Sequence, residues 1–85
     1  MHYVYVLWSK KDGRRYVGST SDLRRRFREH TLGRVTSTRH RRPLTLLCYE
    51  AYQSKNIACA RERYLKSSDG HKDLNRRFGA LSSVG

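Results

Sequence analysis

The sequence predicts an α+β fold in the order ββαβαα, a small antiparallel or mixed sheet with helices packed on it. Three observations point there. Residues 2–9 and 14–18 are apolar and β-forming, and they flank an Asp12-Gly13 pair. A third run of that kind, Leu44 to Glu50, lies well downstream. Elsewhere the apolar spacing is helical, bracketed by hydroxyl or Asp caps and by glycine.

The first two runs read as a hairpin, because Asp and Gly both tolerate the positive φ of a tight turn. Side chains alternate between faces along a strand. With an even loop, either Asp12-Gly13 alone or Lys10 to Gly13, Tyr3, Tyr5 and Leu7 share a face with Tyr16, Gly18 and Thr20. An odd loop with a bulge would change that parity. The even loop sets two phenols beside a glycine that leaves open space, an arrangement that serves packing or a site.

Thr20, Ser21 and Asp22 are N-cap candidates for a helix running to about His30 or Leu32 and closed by Gly33. A basic loop holding Arg34, Arg39, His40, Arg41 and Arg42 follows, up to Pro43. After the third strand, Ser54 caps a second helix from Lys55 to Ser67. Ser68-Asp69-Gly70 breaks it, His71 to Leu81 makes a third helix, and Ser82 to Gly85 is a frayed tail. No repeat, linker or boundary divides residues 1–85, which read as one domain of modest core.

Lys and Arg number 19 against 7 Asp and Glu, a formal net charge of +12. Charge of that density favours a polyanion, since each phosphate neutralised releases condensed counterions. A membrane-surface protein would need a broad apolar helix face or a lipidation signal, and neither is present. The run from Tyr3 to Trp8 is too short to span a bilayer and has no signal-peptide cleavage pattern. The expected compartment is the cytoplasm, with no membrane partner. Cys48 and Cys59 form no C-x-x-C, and the four histidines are scattered. Buried free thiols are therefore expected rather than a disulfide or a zinc site.

On the first helix Leu23 and Phe27 are the apolar anchors. Arg26 and His30 stand one turn apart at the margin of that stripe. A guanidinium there is placed to grip a phosphate in fixed geometry. Arg24, Arg25 and Arg28 spread around the rest of the helix, as a solvated face or as loose phosphate contacts. On the second helix the stripe is Ile57, Ala58, Tyr64 and Leu65, with Glu62 at its edge. A carboxylate there could hold a hard divalent cation through oxygen, or simply pair with Lys66 at i+4. Residues 13–20 have the spacing of a phosphate-binding P-loop, but Ser19 replaces the lysine and the second half reads as a strand. A nucleotide triphosphatase is excluded. No Ser-His-Asp or Cys-His set exists, nor a carboxylate pair suited to glycosides.

Tyr3-Val4-Tyr5, Tyr16-Val17-Gly18, Arg26, His30 and Glu62, in that order and spacing, resemble the GIY-YIG nuclease domain. Arg41-Arg42-Pro43-Leu44, Tyr49-Glu50 and the stretch from Arg61 to Ser67 look like its small stand-alone bacterial branch. The resemblance covers about residues 2–79. Tyr3 replaces a glycine of the first motif, and Ser19 stands where some relatives have lysine, which leaves the basic charge to Arg26.

The resemblance implies three antiparallel strands flanked by about three helices, and an endonuclease of DNA repair or recombination. It implies catalytic roles for Tyr5, Tyr16, Arg26, His30 and Glu62, with Glu62 holding Mg²⁺ or Mn²⁺. Gly13 and Gly18 would be structural, and Asn75 is a weaker candidate for a family asparagine. Arg24, Arg25, Arg28, Arg34, Arg39, Arg41 and Arg42 would contact the nucleic acid. DNA is the expected partner, single-stranded, duplex or branched, with the protein a monomer or a homodimer. The alternatives are a silent DNA- or RNA-binding module and a small basic interaction protein in which the tyrosines are core.

Overall fold

The structure, a computed structural model, describes residues 1–84, with side chains through Gly79. The third helix, expected to end at Leu81 before a frayed tail, instead runs on to Val84, and only Gly85 of that tail lies outside the described residues. The elements follow in the order β1 (His2–Ser9), β2 (Arg15–Thr20), α1 (Leu23–Thr31), β3 (Leu44–Tyr52), α2 (Lys55–Lys66) and α3 (Ser68–Val84), which is the expected ββαβαα. The sheet is antiparallel throughout, in the order β2-β1-β3, so the antiparallel alternative holds and the mixed one does not.

The hairpin loop is the longer even one. Ser9 N donates to Arg14 O at 2.9 Å, which leaves Lys10 to Gly13 as the loop, and Gly13 takes φ +67°. Asp12 steadies the turn by accepting from Arg14 N at 2.9 Å. Tyr5 therefore pairs with Gly18 and Leu7 with Tyr16, as the even reading expects. On the other side Val6 pairs with Cys48 but Leu7 with Leu46, so Leu47 is a one-residue bulge in β3.

The two sheet faces are covered differently. Val4, Val6 and Val17 meet Ala58, Leu65 and Leu74 of α2 and α3 to form the apolar core. The opposite face carries Tyr5, Leu7 and Tyr16 and is covered by α1. Asp22 caps α1 by accepting from Arg25 N at 3.1 Å. At the other end Gly33 takes φ +77°, and Arg34 N reaches Glu29 O while Gly33 N reaches His30 O, a Schellman closure. That sharp stop lets residues 34–38 fold back beneath the helix, where Val35 and Thr38 are buried.

Four further expectations need correction. β3 runs on to Tyr52 rather than stopping at Glu50. The break after α2 falls at Ser67, whose backbone is extended, and not at Ser68-Asp69-Gly70, which form the first turn of α3. Ser67 Oγ accepts from Gly70 N, so the polar triplet that reads as a turn is a helix start. Gly70 is needed because a Cβ there would lie 2.1 Å from Tyr64 O. On α2, Ile57 and Tyr64 are exposed; the inward row is Ala58, Glu62 and Leu65, and the other two sit one residue, about 100°, off it. Cys48 and Cys59 are free, as expected, but only half-buried. Among the described residues no helix is long and apolar enough to cross a membrane.

Candidate active site

Tyr5, Tyr16 and His30 come together where α1 crosses the hairpin. The Tyr5 ring centroid lies 6.5 Å from that of Tyr16 and 5.6 Å from that of His30, and Tyr16 and His30 are 5.2 Å apart. The Tyr5 hydroxyl is 2.8 Å from His30 Nε2. The gap expected over Gly18 is filled by this same phenol: a Cβ on Gly18 would lie 2.5 Å from Tyr5 Oη and 2.6 Å from Cζ. Glycine is thus required at this position by close approach, with no unusual φ involved.

His30 is wholly buried, as is Thr38, whose Oγ1 lies 2.7 Å from His30 Nδ1. Burial first, then the Arg26 charge, lowers His30 to about 4 against the opposing pull of Glu29. The ring is therefore neutral near pH 7. One nitrogen carries hydrogen and the other accepts. The Arg26 guanidinium lies near enough to the Tyr5 phenol for each to shift the other's ionisation; a cation on that side favours the phenol as donor to His30 Nε2, which puts the ring proton on Nδ1 facing Thr38. This tautomer follows from the hydrogen-bond network. Burial pushes the Tyr5 phenol above its ordinary value despite Arg26, with Tyr16 and Glu62 adding to the rise. The cationic neighbour that a tyrosine base requires is thus present, but in the free protein burial outweighs it.

Arg26 and Tyr16 are the solvent-facing members of the group. Arg26 Nη1 pairs with Glu29 at 3.1 Å, which holds the guanidinium at the mouth of the group. Glu62 approaches from α2 past the β2 edge. Ser19 Oγ donates to its Oε1 at 2.7 Å, and Lys66 Nζ lies 2.8 Å from Oε2. Burial works to raise the Glu62 carboxyl, but the bonds from Lys66 and Ser19 together hold it below the usual carboxylate range. The i,i+4 pair with Lys66 is thus real, and it coexists with a carboxylate near enough to Tyr5 to influence its ionisation.

The basic residues divide into two sets. Arg24, Arg25, Arg28, Arg34, Arg39 and Arg42 are exposed, although Arg42 also packs its guanidinium over Gly33 and donates from Nε to Arg39 O. Arg41 is a clamp: its Nε donates to Asp12 Oδ2 at 2.6 Å, which ties the 39–41 turn to the hairpin. Asn75 is not brought to the Tyr5 group. It bonds Arg15 on the opposite sheet face. Sequence reasoning missed Thr38, Glu29 and the Ser19 contact to Glu62. The signal for Thr38 was Val35, the lone aliphatic residue of a basic loop and hence the anchor that carries Thr38 inward.

Among the described residues no group of three or more His, Cys, Asp or Glu gathers to cage a metal. A single carboxylate still suits Mg²⁺, which keeps several waters and takes substrate phosphate oxygens beside one or two carboxylates. Glu62 fits that pattern.

This architecture defines a GIY-YIG catalytic domain. The family model of that description matches residues 1–77, and the chain belongs to the family, one of nucleases. It is similar to a UPF0213 protein of Halobacterium salinarum, 43% identical over 67 residues, covering 78% of this chain and 86% of the relative. A UPF0213 protein of Haloquadratum walsbyi is 39% identical over 67 residues, with 78% and 74% covered. The solution NMR structure of the UPF0213 protein from Bacillus halodurans superposes with a TM-score of 0.56 at 34% identity, over 96% of this chain and 92% of that one.

Proposed function

We propose that this protein is a divalent-metal-dependent endonuclease that hydrolyses DNA phosphodiester bonds, selecting strand or structure rather than sequence. The observation that carries this reading is the Tyr5–His30–Thr38 hydrogen-bond chain, in which a buried imidazole bridges a phenol and a hydroxyl, with a guanidinium close by.

A scissile phosphate meets Arg26 and Tyr16 first, because these are only half-buried while Tyr5 and His30 are buried. Its negative charge competes with the phenol for Arg26, which then braces the phosphoryl oxygens with its planar fork. Water taking the place that Arg26 leaves beside the Tyr5 oxygen gives up a proton to the phenol as the phenol passes its own to His30 Nε2. Thr38 holds the ring so that Nε2 faces the phenol throughout. The phosphate also opposes the Arg26 field that depresses His30 in the free protein, so the base strengthens when substrate is bound. A cation held by Glu62 would supply charge neutralisation at the phosphate and at the leaving oxygen. The exposed arginines guide the strand through phosphate contacts that carry no sequence information.

A second reading, a binding module without turnover, is favoured by the near-complete burial of Tyr5 (1% exposed) and His30 (0%). Cleavage of single-stranded, duplex and branched DNA in Mg²⁺ or Mn²⁺, against a chelator control, separates the two. Metal-dependent products support the endonuclease. Salt-sensitive binding with no products on any substrate supports the silent module.

A further inference from the structure

On the sheet face that α1 covers, a groove of about 370 Å³ opens between that helix and the edge strand β3. Its walls are Tyr3, Leu46 and Tyr49 from the sheet and Phe27 from α1, with exposed Asp22 and Arg24 at the rim. None of these residues belongs to the Tyr5–His30 group. Tyr49 stands opposite Tyr5 in the β1–β3 ladder and so shares its face. Yet Tyr49 is 55% exposed where Tyr5 is buried. Edge-to-face packing on Tyr3 holds the ring, with centroids 6.1 Å apart and planes at 66°. A ring so held, with more than half of its surface uncovered, is a stacking platform and not core.

Charge is arranged to match. In the lining Arg24 is offset by Asp22, whose carboxylate already accepts from Arg25 N, so the groove carries no net charge and suits a neutral ring. Arg25 and Arg28 lie outside it. Both are exposed, and neither side chain has a partner among the described residues. Successive residues stand about 100° apart around a helix. Arg26 therefore occupies the flank of α1 toward Tyr16, Arg24 the flank toward β3, and Arg25 and Arg28 the solvent side between them. A strand held by Arg26 at its scissile phosphate and crossing α1 would rest its next phosphates on Arg25 and Arg28. It would then deliver a base to Tyr49. An aromatic platform beside free guanidiniums is the chemistry that receives an unstacked base, with its phosphates outside.

We infer that this groove is a nucleotide subsite on the far flank of α1, which takes one unpaired base against Tyr49 while Arg25 and Arg28 hold the flanking phosphates. The substrate class it selects is DNA with a single-stranded segment beside the cleaved bond. This rests on the nucleic-acid reading of the active site, but not on turnover.

Tyr49 is exposed, so its replacement leaves the core intact, and a melting curve checks the fold of each variant. The test is a binding titration in chelator, where no cleavage occurs, followed by anisotropy of labelled DNA. The probes are a mixed-sequence single strand, an abasic strand of equal length and a blunt duplex. Tyr49→Ala should weaken binding of the single strand about fivefold to a hundredfold, the span that base–aromatic stacking corresponds to. Tyr49→Phe, which keeps the ring, should bind as wild type does. Binding of the abasic strand and of the duplex should be unmoved by Tyr49→Ala, whereas Arg25→Ala should weaken all three through the phosphates. Unchanged single-strand binding by Tyr49→Ala would overturn the subsite and leave the groove to an apolar protein partner. An equal loss on the abasic strand would show that the ring contacts no base, and an equal loss on the duplex would remove the unpaired-base requirement; either result refutes the inference. Tyr49-dependent binding without metal-dependent products in a parallel cleavage assay would count against the endonuclease reading alone.

Discussion

Gly18→Ala should be among the most damaging single-methyl additions this fold can receive. The new Cβ would stand 2.5 Å from the Tyr5 hydroxyl, 2.6 Å from Cζ and 3.1 Å from Cε1. Ordinary contacts to carbon fall at about 3.5–4.0 Å, so the ring must withdraw by about 1 Å. Tyr5 is 1% exposed and cannot swing into solvent. Overpacking of this kind costs about 1–3 kcal/mol. The displacement also breaks the 2.8 Å bond to His30, leaving a buried nitrogen unsatisfied at a further ~1–3 kcal/mol. The sum, about 2–6 kcal/mol, lowers the melting temperature of a chain this size by at least about 8 °C. Thermal unfolding followed by circular dichroism reads this directly. Adding Tyr5→Phe removes the nearest clashing atom, so the two substitutions should cost less together than apart. A Gly18→Ala protein melting within about 2 °C of wild type, or full additivity with Tyr5→Phe, would refute the close approach of the phenol.

Further outcomes follow from the same geometry. His30, held at about 4, binds a proton in the unfolded chain near its ordinary 6.5 but not in the fold, so stability should fall as pH drops from about 6.5 to 4, by about 3 kcal/mol in all. Glu50 and Glu62, both held below the usual carboxylate range, add a loss of the same sign at lower pH; urea unfolding across pH 4–7 should show the upper limb in wild type and not in His30→Gln. Arg26→Lys should reduce single-turnover cleavage about a hundredfold or more while binding changes little, since a point charge cannot replace the planar fork; near-normal turnover would make Arg26 a surface contact. Gly70→Ala, whose Cβ would meet the Tyr64 carbonyl and the Leu65 backbone, should destabilise by the upper end of about 1–3 kcal/mol or beyond, because backbone cannot rotate away as a side chain can. A wild-type melting curve for that variant would place α3 farther from α2.

What the sequence made legible was local. The parity of Tyr3-Val4-Tyr5 against Tyr16-Val17-Gly18 follows from a two-residue period, and an even loop carries it unchanged into space. The caps at Asp22 and Ser54 and the closure at Gly33 were equally readable, because each is satisfied by neighbours within a few residues. Contacts set by tertiary packing were not. Ser68-Asp69-Gly70 has turn composition, yet Ser67 caps a helix there and Gly70 admits the backbone of α2. Ile57 and Tyr64 are apolar on a helical stripe, yet Glu62 takes the inward row between Ala58 and Leu65 because Ser19 and Lys66 satisfy its carboxylate. Thr38 lay in a basic loop with no motif of its own. Its role depends on a fold-back that Gly33 and Val35 create together.

The most direct test compares wild type with Glu62→Ala in Mg²⁺ or Mn²⁺, measuring cleavage on gels and DNA binding in parallel. The account predicts that the variant binds at least as well as wild type, since the charge removed is negative, and that cleavage disappears. Metal-dependent cleavage by the variant at the wild-type rate would contradict it.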